Sequence, residues 1–272
     1  MIQSIQNGDW VLLDEINLAS DSVLNRLATI IEGNHILLNE RADIVETKRH
    51  PEFRIFLCMN PPYTSAGKKQ LTTGLRVRLT ELYVKELESE TDLWPIIDRN
   101  APKAMFSEHQ KRLILQFYLC ARADVMKATR RSNIGLRNLS RALKMMRSAI
   151  KLKYPVIKAI YDALYTCFAS HLDSELQKSL HTMIWDLFEI TALPALDVLA
   201  RQQSDPNADK YAYVEQFVIP KGAHPPVNFD PQDFILTTTF SSLVRKLASI
   251  VAVTDYAVIL EGPTSAGKTS TV

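Results

Sequence analysis

Eight residues near one end of the chain, Gly262-Pro263-Thr264-Ser265-Ala266-Gly267-Lys268-Thr269, have the spacing G-x-x-x-x-G-K-[ST]. Glycines permit a tight turn, the backbone N–H groups of that turn can cradle phosphate oxygens, the lysine neutralises charge and the threonine hydroxyl can ligate Mg²⁺. The chemistry they suit is binding of ATP with its magnesium ion. Near the other end stand Asp14 and Glu15, a carboxylate pair suited to nucleotide hydrolysis. The first can hold hydrated Mg²⁺, and the second can orient the attacking water or take its proton. Taken alone, an adjacent acidic pair fits a solvated strand end equally well.

The order of these motifs is the reverse of that in one nucleotide-binding domain, where the loop precedes its Mg²⁺-binding carboxylate. Two successive modules are therefore expected, the pair serving the earlier site and the loop opening the next. The chain by itself should then show no significant ATP hydrolysis. The competing arrangement is a permuted single domain in which the two ends meet. A second string, Thr64-Ser65-Ala66-Gly67-Lys68-Lys69, repeats TSAGK but fails chemically. Pro62 falls where the first glycine belongs and has no N–H, and Lys69 replaces the hydroxyl. It reads as a basic loop.

The elements that must position these residues can be traced from periodicity. Trp10-Val11-Leu12-Leu13 predicts a short buried parallel strand with the carboxylates at its C-terminal edge, where α/β sheets place ligands. Ser20 or Asp21 caps a helix carrying Val23, Leu24, Leu27, Ile30 and Ile31, closed near Gly33. Residues 36–38 and 42–45 read as two arms of a hairpin. A second buried strand over 53–58 is stopped by Pro61 and Pro62, leaving Asn60 at the rim.

From about residue 107 to 201 amphipathic helical patterns succeed one another, over 108–127, 135–153, 155–172 and 176–188. Residues 202–233, with Asp205-Pro206-Asn207 and Pro225-Pro226, read as a linker holding a short strand at 217–219. A helix over about 241–251 and a strand over 256–260 lead into the phosphate-binding loop. The expected fold is α/β plus α. Residues 1–106 form the later part of a parallel-sheet core, 107–201 a helical lid, 202–233 the linker and 234–272 the start of the next core.

Composition narrows the function classes. The 272 residues are 46% hydrophobic and 23% charged, the balance of a core-forming protein. Thirty-two basic against 30 acidic side chains leave a formal charge of +2, so no global field demands nucleic acid or an anionic membrane. No apolar run approaches the roughly 18 residues of a membrane span, and the opening MIQSIQNGDW has no features of a signal peptide and resembles mid-domain sequence. Cys58, Cys120 and Cys167 have no C-x-x-C spacing, which fits buried thiols in a reducing compartment. The six histidines show no metal-ligand spacing. Met145 and Met146 with Leu139, Leu143 and Ile150 read as lid core. Lys144, Arg147, Lys151 and Lys153 form a basic helical face, either simply solvated or in contact with RNA.

Taken in order, these features resemble AAA+ ATPases. Val11-Leu12-Leu13-Asp14-Glu15 is similar to their Walker B strand, Ile55-Phe56-Leu57-Cys58-Met59-Asn60 to the sensor 1 strand, and Gly74-Leu75-Arg76-Val77-Arg78-Leu79 to the arginine-finger segment. Gly135-Leu136-Arg137-Asn138-Leu139 is similar to a sensor 2 helix. LLDEINLAS, HPEFRIFLCMNPP and the GKK-x-L-x-x-x-L-R-x-R stretch most resemble the midasin family, a dynein-related branch with tandem modules.

The resemblance covers nearly the whole chain, about 8–200 as the back of one module and 214–272 as the entry into the next. It implies that Asn60 positions the water, that Arg137 reaches the γ-phosphate from the lid, and that Arg78 crosses to a neighbouring module, with Arg76 as its rival. The family more often has Phe where Leu79 stands, a conservative change. It also implies neighbouring AAA+ modules as partners, ribosomal RNA as the partner that a non-solvated basic face on Lys144 to Lys153 would meet, a nuclear and nucleolar location, and ATP-driven release of assembly factors from pre-60S ribosomal particles. Other readings are a MoxR-like or dynein-like remodelling ATPase and a non-hydrolysing nucleotide-binding scaffold.

Overall fold

A computed structural model of the chain describes residues 1–33, 35–37, 46–61, 69–129, 134–194, 210–214, 217–222 and 237–261. They fall into two compact units, Met1–Glu86 and Leu87–Val272.

In the first unit, helix α1 (Ile2–Asn7) ends at Gly8, whose φ of 84° is a left-handed C-cap that glycine adopts without steric cost. Strand β1 (Trp10–Leu13) runs parallel to β4 (Arg54–Leu57), with Trp10 opposite Arg54 and Leu13 opposite Leu57. Between them come a 3₁₀ turn (Ile16–Leu18), helix α2 (Asp21–Glu32) and the antiparallel pair β2 (His35–Leu37) and β3 (Glu46–Lys48). Helix α2 buries Leu24, Leu27 and Ile30, a single stripe at helical spacing. Arg49 closes its end by donating to the Ile31 carbonyl at 3.0 Å, one of the orphan acceptors of a helix C-terminus. These side chains pack with Ile5, Ile16, Phe53, Leu71 and Leu75. A short helix α3 (Thr73–Arg76) comes next.

Two expectations change here. The paired strands are not buried on both faces: Val11, Leu13, Ile55 and Leu57 pack on the core, while Trp10 is 72% exposed and Leu12 and Phe56 are also open. The period-2 alternation of side chains puts alternate residues on opposite faces, and helix packing covers only one. Val23 is likewise exposed, on the edge of the α2 stripe. The second hairpin arm is Glu46–Lys48; residues 38 and 42–45 lie outside the described residues.

The second unit contains α4 (Glu90–Asn100), α5 (Glu108–Thr129), α6 (Leu136–Lys151), α7 (Val156–Leu164), α8 (Ser174–Leu187), strands β5 (Tyr211–Val214) and β6 (Phe217–Pro220), and α9 (Thr238–Val253). Helices α5, α6, α8 and α9 lie where periodicity predicts them. The run over 155–172 instead changes pitch after α7. At Tyr165–Ala169 it widens to a π turn, in which Ser170 N–H reaches back to the Tyr165 carbonyl at 3.1 Å. Helix α4 went unpredicted because Pro95 interrupts its interior. The Ser89 side chain caps its start, and Leu93 and Ile97 are fully buried as α4 packs on α5 and α6. The helical body therefore begins near Leu87, earlier than residue 107.

Within the expected linker, β6 pairs antiparallel with β5, Val214 opposite Phe217, and packs against α9. Residues 256–260 form no strand. A β-branched run becomes a strand only beside a partner, and among the described residues none lies there, leaving Ile259 88% exposed. Tyr256 instead lies against α6, beneath Lys144 at 4.9 Å and Arg141 at 5.6 Å.

The core of this unit includes Leu139, Leu143, Met145 and Met146. Phe117 and Tyr118 meet Phe168 edge-on with ring centroids 5.4 and 6.1 Å apart, the geometry aromatic quadrupoles favour. Two lysines are buried in it. Lys111 bonds Asp98 at 2.6 Å and Glu108 at 3.0 Å, holding the Asp98 carboxyl below its ordinary range. Lys158 bonds Asp162 at 2.8 Å and lies 5.7 Å from the centre of the Phe217 ring on β6.

Candidate active site

The parallel ladder runs one step beyond the strands. Cys58 N–H donates to the Leu13 carbonyl at 2.9 Å, and Ile16 N–H donates to the Cys58 carbonyl at 3.1 Å. These two bonds register the C-terminal strand ends side by side, so that the residues leaving each strand emerge at the same edge. After β1 come Asp14 and Glu15; after β4 comes Asn60. Asp14 is exposed, and its Oδ1 accepts the Glu15 N–H at 2.9 Å. Glu15 has a φ of 51°, the left-handed region, which costs a side-chain-bearing residue about 1–2 kcal/mol. Strain of this kind persists where surrounding structure over-determines it, and it concentrates at functional positions. The kink lets the chain leave the strand into the 3₁₀ turn and brings the carboxylate to Asn60, whose Nδ2 donates to Glu15 Oε1 at 2.6 Å. A bond this short to an ionised acceptor belongs to the stronger class.

Arg76 and Arg78 have other partners in the first unit. Arg76 is held by Glu81 through two bonds, Nε to Oε1 at 2.7 Å and Nη2 to Oε2 at 2.6 Å. Arg78 bonds Glu32 Oε1 at 2.5 Å and donates to the Gly74 carbonyl. Both guanidinium groups thus have carboxylate partners within the first unit. Arg137 belongs to the second unit, in the first turn of α6. It is exposed, while its neighbour Asn138 reciprocally caps Gly135 and donates to the Cys167 carbonyl at 2.8 Å. Gly262 to Thr269, with Lys268 and the Mg²⁺-binding hydroxyl of Thr269, lie outside the described residues, as does the look-alike over 62–68. Lys69 makes an exposed ion pair with Asp21 at 3.7 Å. On the basic face of α6, Lys144 bonds Asp255 at 3.3 Å.

One residue of the site was not singled out by sequence reasoning. Asn17, 1% exposed, donates from Nδ2 to the Asn60 carbonyl at 3.0 Å. Its only signal was an amide set between Ile16 and Leu18, directly after the acidic pair.

As donors, the described residues fit one half of a nucleotide site. Asp14 offers a hard carboxylate oxygen of the type Mg²⁺ takes alongside its waters and phosphate ligands. Glu15 offers a carboxylate held in a defined direction. Residues 1–79 match the AAA domain of the dynein-related subfamily, and residues 92–190 match the midasin AAA lid domain. The chain carries the core and lid signatures of midasin-type AAA+ proteins. Midasin of Dictyostelium discoideum is 29% identical over 286 aligned positions covering all of this chain and 5% of the relative. Midasin of Giardia intestinalis is 25% identical over 307 positions, again covering the whole chain and 6% of the relative. The chain thus spans about one-twentieth of the length of these midasins, and the lid match separates it from other dynein-related branches. Core and lid matches meet near the division between the structural units, so the fold is a partial AAA+ α/β core with its helical lid.

Proposed function

We propose that the first unit supplies the hydrolytic half of an ATP site in a longer tandem AAA+ protein. Asp14 holds the magnesium ion, Glu15 activates the attacking water, and Asn60 orients Glu15 and that water. Arg137 contacts the γ-phosphate from the lid, and Arg78, or Arg76 in its place, leaves its carboxylate partner to stabilise transition-state charge at a neighbouring module. Gly262 to Thr269 bind the nucleotide of the following site. The observation that carries this reading is the 2.6 Å bond between Asn60 and Glu15, which joins the ends of two adjacent parallel strands where such sheets place ligands. The likeness to midasins extends the proposal to ATP-driven release of assembly factors from pre-60S particles in the nucleolus and nucleoplasm.

The test is Asn60→Ala in the complete protein, with the corresponding glutamates of its other modules silenced. A hydrogen bond to a charged group contributes roughly 1.5–3 kcal/mol. Because Asn60 is exposed, the lower end applies, and kcat should fall about tenfold. Unchanged turnover would contradict the assignment of Asn60 and Glu15.

A further inference from the structure

Asn17 hydrogen-bonds one of the groups assigned to chemistry, the main chain of Asn60. Its orientation is unambiguous: the neighbouring atom is a carbonyl oxygen, so the amide nitrogen must face it. The other end, Oδ1, is buried with no hydrogen-bond partner among the described residues. An amide with one end unmet is a poor choice for stability, since a leucine of similar size would fill the space with no unsatisfied acceptor. What leucine cannot supply is a donor to Asn60.

That donor acts where the sheet no longer does. The parallel ladder ends at Cys58, and Met59 and Asn60 run exposed beyond it. Asn17 lies in the 3₁₀ turn whose N-cap is Glu15, and its own carbonyl accepts the Lys69 N–H at 3.3 Å. One turn therefore presents the carboxylate and, two residues on, grips the backbone of the side chain that orients it.

We propose that Asn17 is a positioning residue that sets the Asn60 amide against Glu15. This rests on the roles assigned to Glu15 and Asn60 above. Asn17 acts on hydrolysis only through Asn60. Its substitution leaves nucleotide affinity intact and loosens the Asn60–Glu15 bond.

The test is a mutant cycle in the complete protein, with the other modules silenced. Asn17→Leu should lower kcat about two- to tenfold, the range one neutral hydrogen bond spans, with KM for ATP unchanged. On an Asn60→Ala background the same substitution should have no further effect. Equal losses in both backgrounds, or a change confined to KM, would overturn the proposal. If leucine blocks folding, Asn17→Ser is the smaller replacement, with the same outcomes expected. A second readout uses the 272-residue chain itself. The Asn60 side-chain amide NMR signals should shift on Glu15→Gln, and should cease to respond when Asn17→Leu is also present. A response that survives Asn17→Leu would also overturn it. Unchanged turnover in Glu15→Gln would mark failure of the underlying hydrolytic reading. Losses in Glu15→Gln and Asn60→Ala without one in Asn17→Leu would sink this inference alone.

Discussion

Replacing Lys158 with methionine keeps most of the buried stem and removes only the charge that faces Asp162. The two side chains are 4% and 18% exposed, so solvent screens their interaction weakly. Burial already pushes the Asp162 carboxyl above its ordinary value, with Lys158 opposing that shift. Without Lys158 the carboxyl must stay charged and unpaired or take up a proton. Taking up a proton sets a ceiling on the cost. For an unfolded carboxyl of pKa about 3.9, protonation at pH 7 costs about 3 pKa units at ~1.36 kcal/mol each, or about 4 kcal/mol.

The sign comes from the raised folded-state pKa. The contribution to stability is fully present below the unfolded pKa and is lost as pH rises through the folded one. The penalty for Lys158→Met should therefore fall from up to about 4 kcal/mol at pH 7 to about 1.5 kcal/mol or less at pH 5. Urea unfolding of the chain, monitored by far-ultraviolet circular dichroism at the two pH values, measures this directly. Against a typical domain stability of roughly 5–15 kcal/mol the difference is large. Adding Asp162→Asn should abolish the pH dependence. A penalty equal at pH 7 and pH 5, or one unchanged by Asp162→Asn, would refute the reasoning.

Local geometry sets two further outcomes. Gly8→Ala should destabilise the first unit by about 1–2 kcal/mol from its left-handed φ alone, and by more because the added Cβ would run into the His50 ring; thermal unfolding reports the loss. Cys167, whose thiol burial pushes up to about 12, should resist thiol reagents at pH 8 in the folded chain and react only on unfolding, because the thiolate is the nucleophile. Exposed Cys58 and Cys120 should react at once, so a count of modified thiols before and after denaturation checks it.

Much of this site was legible in the sequence because its signals are local. Four apolar residues ending in two carboxylates announce a strand and the edge that carries them, and the Pro61-Pro62 stop marks where Asn60 must lie. Asn17 was not legible in the same way, because its value comes from an atom 43 positions away, across a parallel pairing that no local pattern reports. Helix α4 was obscured by Pro95, although Leu93 and Ile97 already stand at helical spacing. Strand β5 was hidden because Tyr211–Val214 carries too little apolar alternation to be recognised without its partner β6. The run at 256–260 misled in the opposite direction, since strand propensity counts only where a neighbouring strand exists.

The central claim, that Glu15 activates water for an ATP site completed by the rest of a longer protein, is tested most directly by Glu15→Gln. In the complete protein, with the other modules silenced, the variant should retain ATP after a single-turnover incubation while the parent retains ADP. Bound ADP formed at the parental rate in Glu15→Gln would contradict it.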